Sequence, residues 1–439
     1  MKRDLKVYLD EWKNDPDKKP IILKGARQVG KSYLARDFGK SFENFVEINF
    51  EFEPRLKSLF DRDFNPERII RDLSIAAGKK ITPGKTLLFF DEIQECSAAI
   101  KSLRYFYEKM PGLHLVAAGS LLDFVLENIG LPVGRVIPLY LYPLSFMEFL
   151  SAAGHENLRE EISVHEPGEE LAGYIHDKLL TLLGEYLAVG GMPEAVEKWL
   201  RTGDLKACMN IHQQLVETYR QDFARYTKEK KQGYVELVFN SIPRLSGKKF
   251  IFHSVSPDIR SRELKSALEL LSKAGIAHII YHSSANGLPL GAEVNPLISK
   301  VIFLDTALSQ SVLGIDCGSW IIDPVRTIVN RGAAVEAFVG QELMAYSQAA
   351  KKNDLYYWVC EKRGSQAEID YVTTINGNIV PVEVKSGKTG SLKSMHLFLE
   401  NKKNSTFGIQ FSQKNYNIDK RIMQYPLYAI SAALNTRKR

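Results

Sequence analysis

The sequence predicts an α/β protein built from several domains, and three observations carry that prediction. Five short apolar runs, PIIL (20–23), NFVEINF (44–50), TLLFFDE (86–92), LHLVAAGS (113–120) and RVIPLYLY (135–142), alternate with stretches of helical spacing. That is the pattern of a mostly parallel sheet with helices on its faces. The octapeptide GARQVGKS (25–32) follows the first run and precedes YLARDF. Far downstream, AEIDYVTTINGNIVPVEVKSG (367–387) carries two alternating runs around Asn-Gly, the strongest short-range signal for a two-residue hairpin.

Length and composition set the frame. At 439 residues, with 45% hydrophobic and 25% charged content, the chain can build two or three domains with their own cores. A net charge of +6 is compatible with nucleic acid without arguing for it. Cys96, Cys208, Cys317 and Cys360 lie far apart, so neither a zinc motif nor a disulfide framework is expected, and a reducing cytoplasm fits best. The segment MKRDLKVYLDEW is charged, and no apolar run reaches 18 residues. Secretion and a membrane partner are therefore not expected.

GARQVGKS has the spacing G-x-x-x-x-G-K-[ST] of a phosphate-binding loop. Gly25 and Gly30 let the backbone turn and bring its N–H groups to phosphate oxygens, Lys31 neutralises the β and γ phosphates, and the Ser32 hydroxyl can ligate Mg²⁺. The expected nucleotide set is Gly25, Gln28, Gly30, Lys31, Ser32 and Tyr33, with ATP and Mg²⁺ as cofactors. LLFFDEIQ is a buried strand ending in two acids at the tip where such sheets bind ligand. Asp91 is expected to hold the metal shell with Ser32, and Glu92 to polarise the attacking water. A solvated strand end is the plainer reading of the dipeptide, but the upstream loop favours the catalytic one. Ser120, closing the fourth run, can sense the γ-phosphate or simply form a turn. Arg135 is either a surface arginine or a catalytic one acting in cis or from a neighbouring subunit, so a homo-oligomer is a candidate state.

GARQVGKS, LLFFDEIQ, AAGSLL and GRVIPLYLYPLSFMEFL together resemble prokaryotic AAA-type ATPases that carry a C-terminal domain of unknown function. The resemblance extends to YLAVGGMPEAV (186–196) and KVIFLDTAL (300–308), and so over nearly the whole chain. It gives Lys31, Ser32, Asp91, Glu92 and Ser120 the Walker A, Walker B and first sensor roles. It also implies a C-terminal half made of a winged helix and a restriction-endonuclease-like domain. The expected division is an AAA-type ATPase domain at 1–150, a helical lid or connector at 151–235, a winged-helix-like domain at 236–315 and a nuclease-like domain at 316–439.

Residues 254–291 support the third segment. Leu264, Ala267, Leu268, Leu271 and Ala274 fall on one helical face while Arg260, Arg262, Lys265 and Lys273 lie mostly off it. Gly275 then ends the helix, IAHIIY begins a strand and a glycine-rich turn follows. This is the layout of a winged helix, which makes DNA a candidate partner. A solvated charged face is the common alternative.

In the last segment, an Asn376-Gly377 loop sets Asp370 opposite Glu383, with Lys385 on the same face as Glu383. Two carboxylates with Cβ atoms about 5 Å apart are unfavourable unless something positive lies between them, and a divalent metal supplies that charge. This is the logic of the D-x(n)-E-x-K nuclease core. A further acid is expected from the helix RGAAVEAFVGQELMAYS (331–347). Glu336 is favoured over Glu342 there, because RGAAVE resembles the G-x-x-x-E helix of resolvase-like members. A one-residue slip of the turn would instead pair Asp370 with Lys385 and leave no site. The leading expectation is thus an ATPase coupled to a DNA-binding, nuclease-like module. The rival is a signalling or scaffold ATPase whose inactive nuclease-like domain binds protein. A small-molecule kinase is disfavoured, since no acceptor-binding motif follows the phosphate loop.

Overall fold

A computed structural model describes residues 1–439 apart from 121, 131, 133, 227–228, 351–354, 361–365, 388–391 and 435–439, and apart from the side chains of 127–128, 225–226 and 229–230. Two compact units result, Lys2–Tyr142 with Gln348–Lys352, and Pro143–Ser347 with Asn353–Arg439.

In the first unit the apolar runs become β1 (Ile21–Lys24), β2 (Asn44–Asn49), β3 (Thr86–Asp91), β4 (His114–Ala118) and β5 (Ile137–Tyr140). All pair in parallel, in the order β2-β3-β4-β1-β5. Ile21, Ile22, Leu23, Leu88, Phe89, Phe90 and Val116 are fully buried, because helices cover both faces of a parallel sheet and alternation disappears. Those helices are α1 (Leu5–Asn14), α2 (Lys31–Gly39), α3 (Pro66–Ala77), α4 (Ser97–Lys109) and α5 (Leu122–Ile129). The start of α3 is fixed by Asn65, whose side chain accepts from the Arg68 N–H, and by Pro66, and its end by Gly78 at φ +63°. Its buried face, Ile69, Ile70 and Leu73, shares a core with Ile48, Phe90, Ile100 and Phe106. Since every strand runs the same way, the segments Gly25–Ser32, Asp91–Glu92 and Gly119–Ser120 all emerge at one edge of the sheet. A distant segment contributes too, as the Tyr140 N–H donates to the Ala349 carbonyl at 2.9 Å.

The second unit opens with α6 (Phe146–Ala152), α7 (Glu156–Val164), α8 (Gly173–Val189), α9 (Pro193–Thr202), α10 (Leu205–Tyr226) and α11 (Glu229–Ser241). Its sheet comprises β6 (Ala277–Ser283), β7 (Val294–Phe303), β8 (Tyr356–Val359), β9 (Glu368–Ile375), β10 (Asn378–Lys385), β11 (Gly408–Ser412), β12 (Asn417–Asp419) and β13 (Ile422–Pro426). The order is β12-β13-β11-β10-β9-β8-β6-β7. The helix Ser261–Lys273 buries Leu264, Ala267, Leu268 and Leu271, packs on α11 and β6, and is followed by Gly275 at φ +73°. The β6-β7 hairpin continues the same sheet through parallel pairing of Tyr281 with Tyr356.

Asn376 and Gly377 both have positive φ, +49° and +79°, as a two-residue hairpin turn of the twisted type requires. Ile375 pairs with Asn378, and the register runs on to Tyr371 with Val382. The next residues along the ladder are Asp370 and Glu383, so the slipped alternative is not adopted.

Candidate functional site

Glycine is required at position 25, where φ is +148° and a Cβ would overlap the Leu141 carbonyl oxygen. Gln28 and Gly30 also turn through positive φ, +64° and +97°, and α2 begins at Lys31 with its first N–H groups directed into the loop. The Lys31 ammonium is buried and donates to the Gly25 and Ala26 carbonyls at 3.0 and 2.8 Å. Burial pushes its pKa down to about 8, against the opposing pull of Glu92 and Asp91. Tyr33, one residue past Ser32, is half exposed.

The Ser32 hydroxyl donates to Asp91 Oδ1 at 2.9 Å. Two hard oxygen donors side by side at a phosphate loop are the donor set that Mg²⁺ takes, so these residues fit a magnesium nucleotide. Burial raises the Asp91 pKa, and the hydrogen bond from Ser32 opposes that rise. Asn49 Nδ2 reaches Asp91 Oδ2 at 3.3 Å from the paired strand. Glu92 sits in the left-handed region, φ +50° and ψ +45°, a conformation costing a non-glycine residue about 1–3 kcal/mol. Gln94 Nε2 donates to Glu92 Oε2 at 2.5 Å, so the carboxylate is held from its own chain segment.

Ser120 follows β4 at the edge that carries the loop. Arg135 is not brought there. It precedes β5, whose start lies beside Ile21 and whose end lies beside Lys24, and four strand residues span about 13 Å. Its guanidinium is exposed and binds Glu108 Oε1 at 2.9 Å, at the edge of the sheet away from the loop. Contact with a phosphate of its own chain's nucleotide is thereby excluded by strand direction.

In the second unit Glu336, Asp370, Glu383 and Lys385 lie near one another. Asp370 Oδ2 accepts from the Val384 N–H at 2.7 Å, and Lys385 Nζ binds Glu383 Oε1 at 2.5 Å. Glu383 Oε2 is buried with no hydrogen-bond partner among the described residues. A further residue lies among them. Lys300, on β7 and only 3% exposed, sets its ammonium 2.9 Å from Glu336 Oε1, 2.5 Å from Glu368 Oε1 and 3.8 Å from Asp370 Oδ1. Burial pushes the Glu336 and Glu383 carboxyls up to about 7, with Asp370 adding to both. Glu342 does other work: both its oxygens accept from the Phe146 N–H at the start of α6, at 3.1 Å. Arg260, just before the helix Ser261–Lys273, and Arg262 and Lys265 within it are exposed, and Lys273 is half-buried.

The family described as an AAA domain matches residues 17–150, the stretch that holds the loop, Asp91, Glu92 and Ser120. The first unit is an AAA-type P-loop ATPase domain. Two families described as domains of unknown function match residues 180–317 and 331–430. No curated protein matches the chain in sequence. Among solved structures, the Walker-type ATPase of Pyrococcus abyssi is 16% identical, with 71% of this chain and 95% of that one covered at a TM-score of 0.44. The Aeropyrum pernix Orc1 protein in complex with DNA is 13% identical over 72% and 93% of the two chains, at 0.31. Drosophila ORC bound to DNA is 14% identical over 71% and 85%, at 0.28. No described helix is long and apolar enough to cross a membrane.

Within the AAA domain, sequence reasoning missed Asn49 and Gln94. Asn49 could have been found by the rule that located Asp91, since it ends the neighbouring strand. Gln94 stood two residues beyond Glu92, but a turn after a strand carries no periodicity to orient its side chain. Lys300 had a signal as well: it is the one charge in LISKVIFL, a run that is apolar but for Ser299 and Lys300 and reads as a strand.

Proposed function

We propose that the protein binds and hydrolyses ATP with Mg²⁺ and that this cycle controls a C-terminal winged-helix and nuclease-like module that engages DNA. The observation that carries the ATPase reading is the 2.9 Å approach of Ser32 Oγ to Asp91 Oδ1 beside a buried Lys31. Bound Mg²⁺ supplies charge stabilisation to the phosphoryl group in transfer. Lys31 exchanges its loop carbonyls for phosphate oxygens, Ser32 and Asp91 orient the ion, and Glu92 accepts the proton of the attacking water once Gln94 releases it. Ser120 contacts the γ-phosphate from the same sheet edge. A role for Arg135 in turnover requires the nucleotide of a second copy, and hence a homo-oligomer as the active form.

Support for the DNA reading comes from Arg262 and Lys265, exposed one turn apart on the helix Ser261–Lys273, from the exposed Arg260 just before it, and from the β9-β10 register that sets Asp370 opposite Glu383. ATP turnover measured with and without duplex DNA tests both halves. Wild type should turn over ATP and be stimulated by DNA, whereas Glu92→Gln should bind ATP and lose at least about 100-fold in rate. Wild-type turnover in Glu92→Gln would remove that assignment. Turnover indifferent to DNA would favour the second reading, a signalling or scaffold ATPase whose nuclease-like domain binds protein. That reading is favoured by Lys300, which fills the acid cluster with a charge of the chain's own.

A further inference from the structure

The facing carboxylates of Asp370 and Glu383 demand a positive charge, and the fold supplies one without any ion. Lys300 enters from β7, two strands beyond β8 and three beyond β9 in sheet order, and places its ammonium among Glu336, Glu368 and Asp370. Tyr357, on β8, lies under the same ammonium with its ring centroid 5.4 Å away. The lysine is nearly solvent-free, so its side chain is held by packing as well as by charge. Burial alone would lower its pKa, but the pull of Glu336, Asp370 and Glu368 outweighs burial and keeps the group charged.

A divalent ion at this cluster would have to bind Asp370 at roughly 2 Å, within a few ångströms of the Lys300 ammonium. Two cations that close, in a partly desolvated cleft, repel strongly. Among the described residues, no group of three or more His, Cys, Asp or Glu side chains is arranged to hold a metal ion. The donor set therefore does not fit the metal that a D-x(n)-E-x-K core implies.

We propose that Lys300 is the resident cation of this centre, standing where a nuclease core takes its metal, and that its charge is what keeps a divalent ion out. The inference rests on reading Asp370, Glu383 and Lys385 as a nuclease-like core. It accounts for the cluster of acids without a cleavage reaction: the module keeps the fold and the acids, and the lysine holds them together. Glu383 Oε2, buried and without a hydrogen-bond partner among the described residues, is the carboxylate oxygen that Lys300 leaves unmatched.

The test is Mn²⁺ binding by the full chain without nucleotide, followed by calorimetry and by the shift in Tm. Wild type and Lys300→Arg should show no Mn²⁺ event that depends on Asp370. Lys300→Gln should melt lower than wild type, and Mn²⁺ should both bind it and restore part of the lost Tm; adding Asp370→Ala should erase both effects. If Lys300→Gln folds poorly, its recovery on refolding with Mn²⁺ against buffer free of divalent metal gives the same readout. Wild-type binding that Asp370→Ala abolishes would overturn the inference and leave the nuclease-like reading standing. Absence of Mn²⁺ binding in every variant, with Lys300→Gln still destabilised, would overturn both.

Discussion

Lys31 shows how one residue ties the fold to ligand binding. Its ammonium is buried against loop carbonyls, and burial lowers its pKa to about 8. A bound triphosphate favours the charged form, so the pKa rises in the complex and binding takes up a proton above pH 8. ATP affinity should therefore be full below about pH 8 and fall by up to tenfold per pH unit above it, until the higher pKa of the complex is reached. Equilibrium titrations from pH 7 to 9.5 would check this, and Lys31→Ala should bind weakly with a flat profile. The positions of Lys31, Ser32, Asp91 and Glu92 were legible because a phosphate loop and an acid-tipped strand are local motifs whose geometry follows from strand direction. The partner of Glu92 was not, since Gln94 is positioned by a turn in which φ is left-handed at a non-glycine residue. Lys300 stood out as a lone charge in an apolar run, but its partners Glu336 and Glu368, 36 and 68 positions away in sequence, did not.

Elements were read best where a period and a terminator agree. The hairpin β9-β10 followed from alternation and Asn-Gly, and its register fixed which acids meet. GGMPEAV was recognisable without an evident task, and its packing explains why: a Cβ at Gly191 would overlap the Leu144 carbonyl oxygen, and the Gly191 N–H donates to Asp305 Oδ2 at 2.8 Å. It is a corner that only glycine turns. At the start of α6, Glu342 is held by the Phe146 N–H and by Tyr186 Oη at 3.3 Å, and burial pushes its pKa up to about 8. Between about pH 4.5 and 8 the unfolded chain has lost this proton and the folded chain has kept it. Stability should thus fall as pH rises through that window and level off above it. Glu342→Gln should show a shallower decline than wild type in thermal melts from pH 5 to 8.5. The helix Ser261–Lys273 makes a separate prediction. If Arg262 and Lys265 each neutralise a phosphate, replacing both with glutamine should reduce the logarithmic salt slope of duplex DNA binding by about 1.8. Lys273, half-buried, should matter less. An unchanged slope would take this helix out of the DNA account.

At the scale of the whole molecule the question is whether the AAA domain and the C-terminal module share a free energy. Proposing that the ATP cycle controls DNA engagement is a statement about coupling, and coupling is reciprocal: whatever factor DNA imposes on ATP affinity, ATP must impose on DNA affinity. That equality holds without reference to how the two units are arranged. The measurement uses Glu92→Gln, in which binding is separated from turnover. Its affinity for a DNA duplex should differ between the nucleotide-free and ATP-saturated states by a factor of roughly 5–150, the range in which most couplings fall. The affinity for ATP, measured with and without saturating DNA, should change by the same factor. Arg262→Gln with Lys265→Gln should weaken DNA binding while leaving basal ATP turnover intact, since neither residue lies in the AAA domain. Unequal factors would mean that a third equilibrium, such as assembly of copies through Arg135, is being read in one titration and not in the other. A factor of one in both directions would leave two independent modules on one chain and end the case for an ATP-controlled DNA-binding protein.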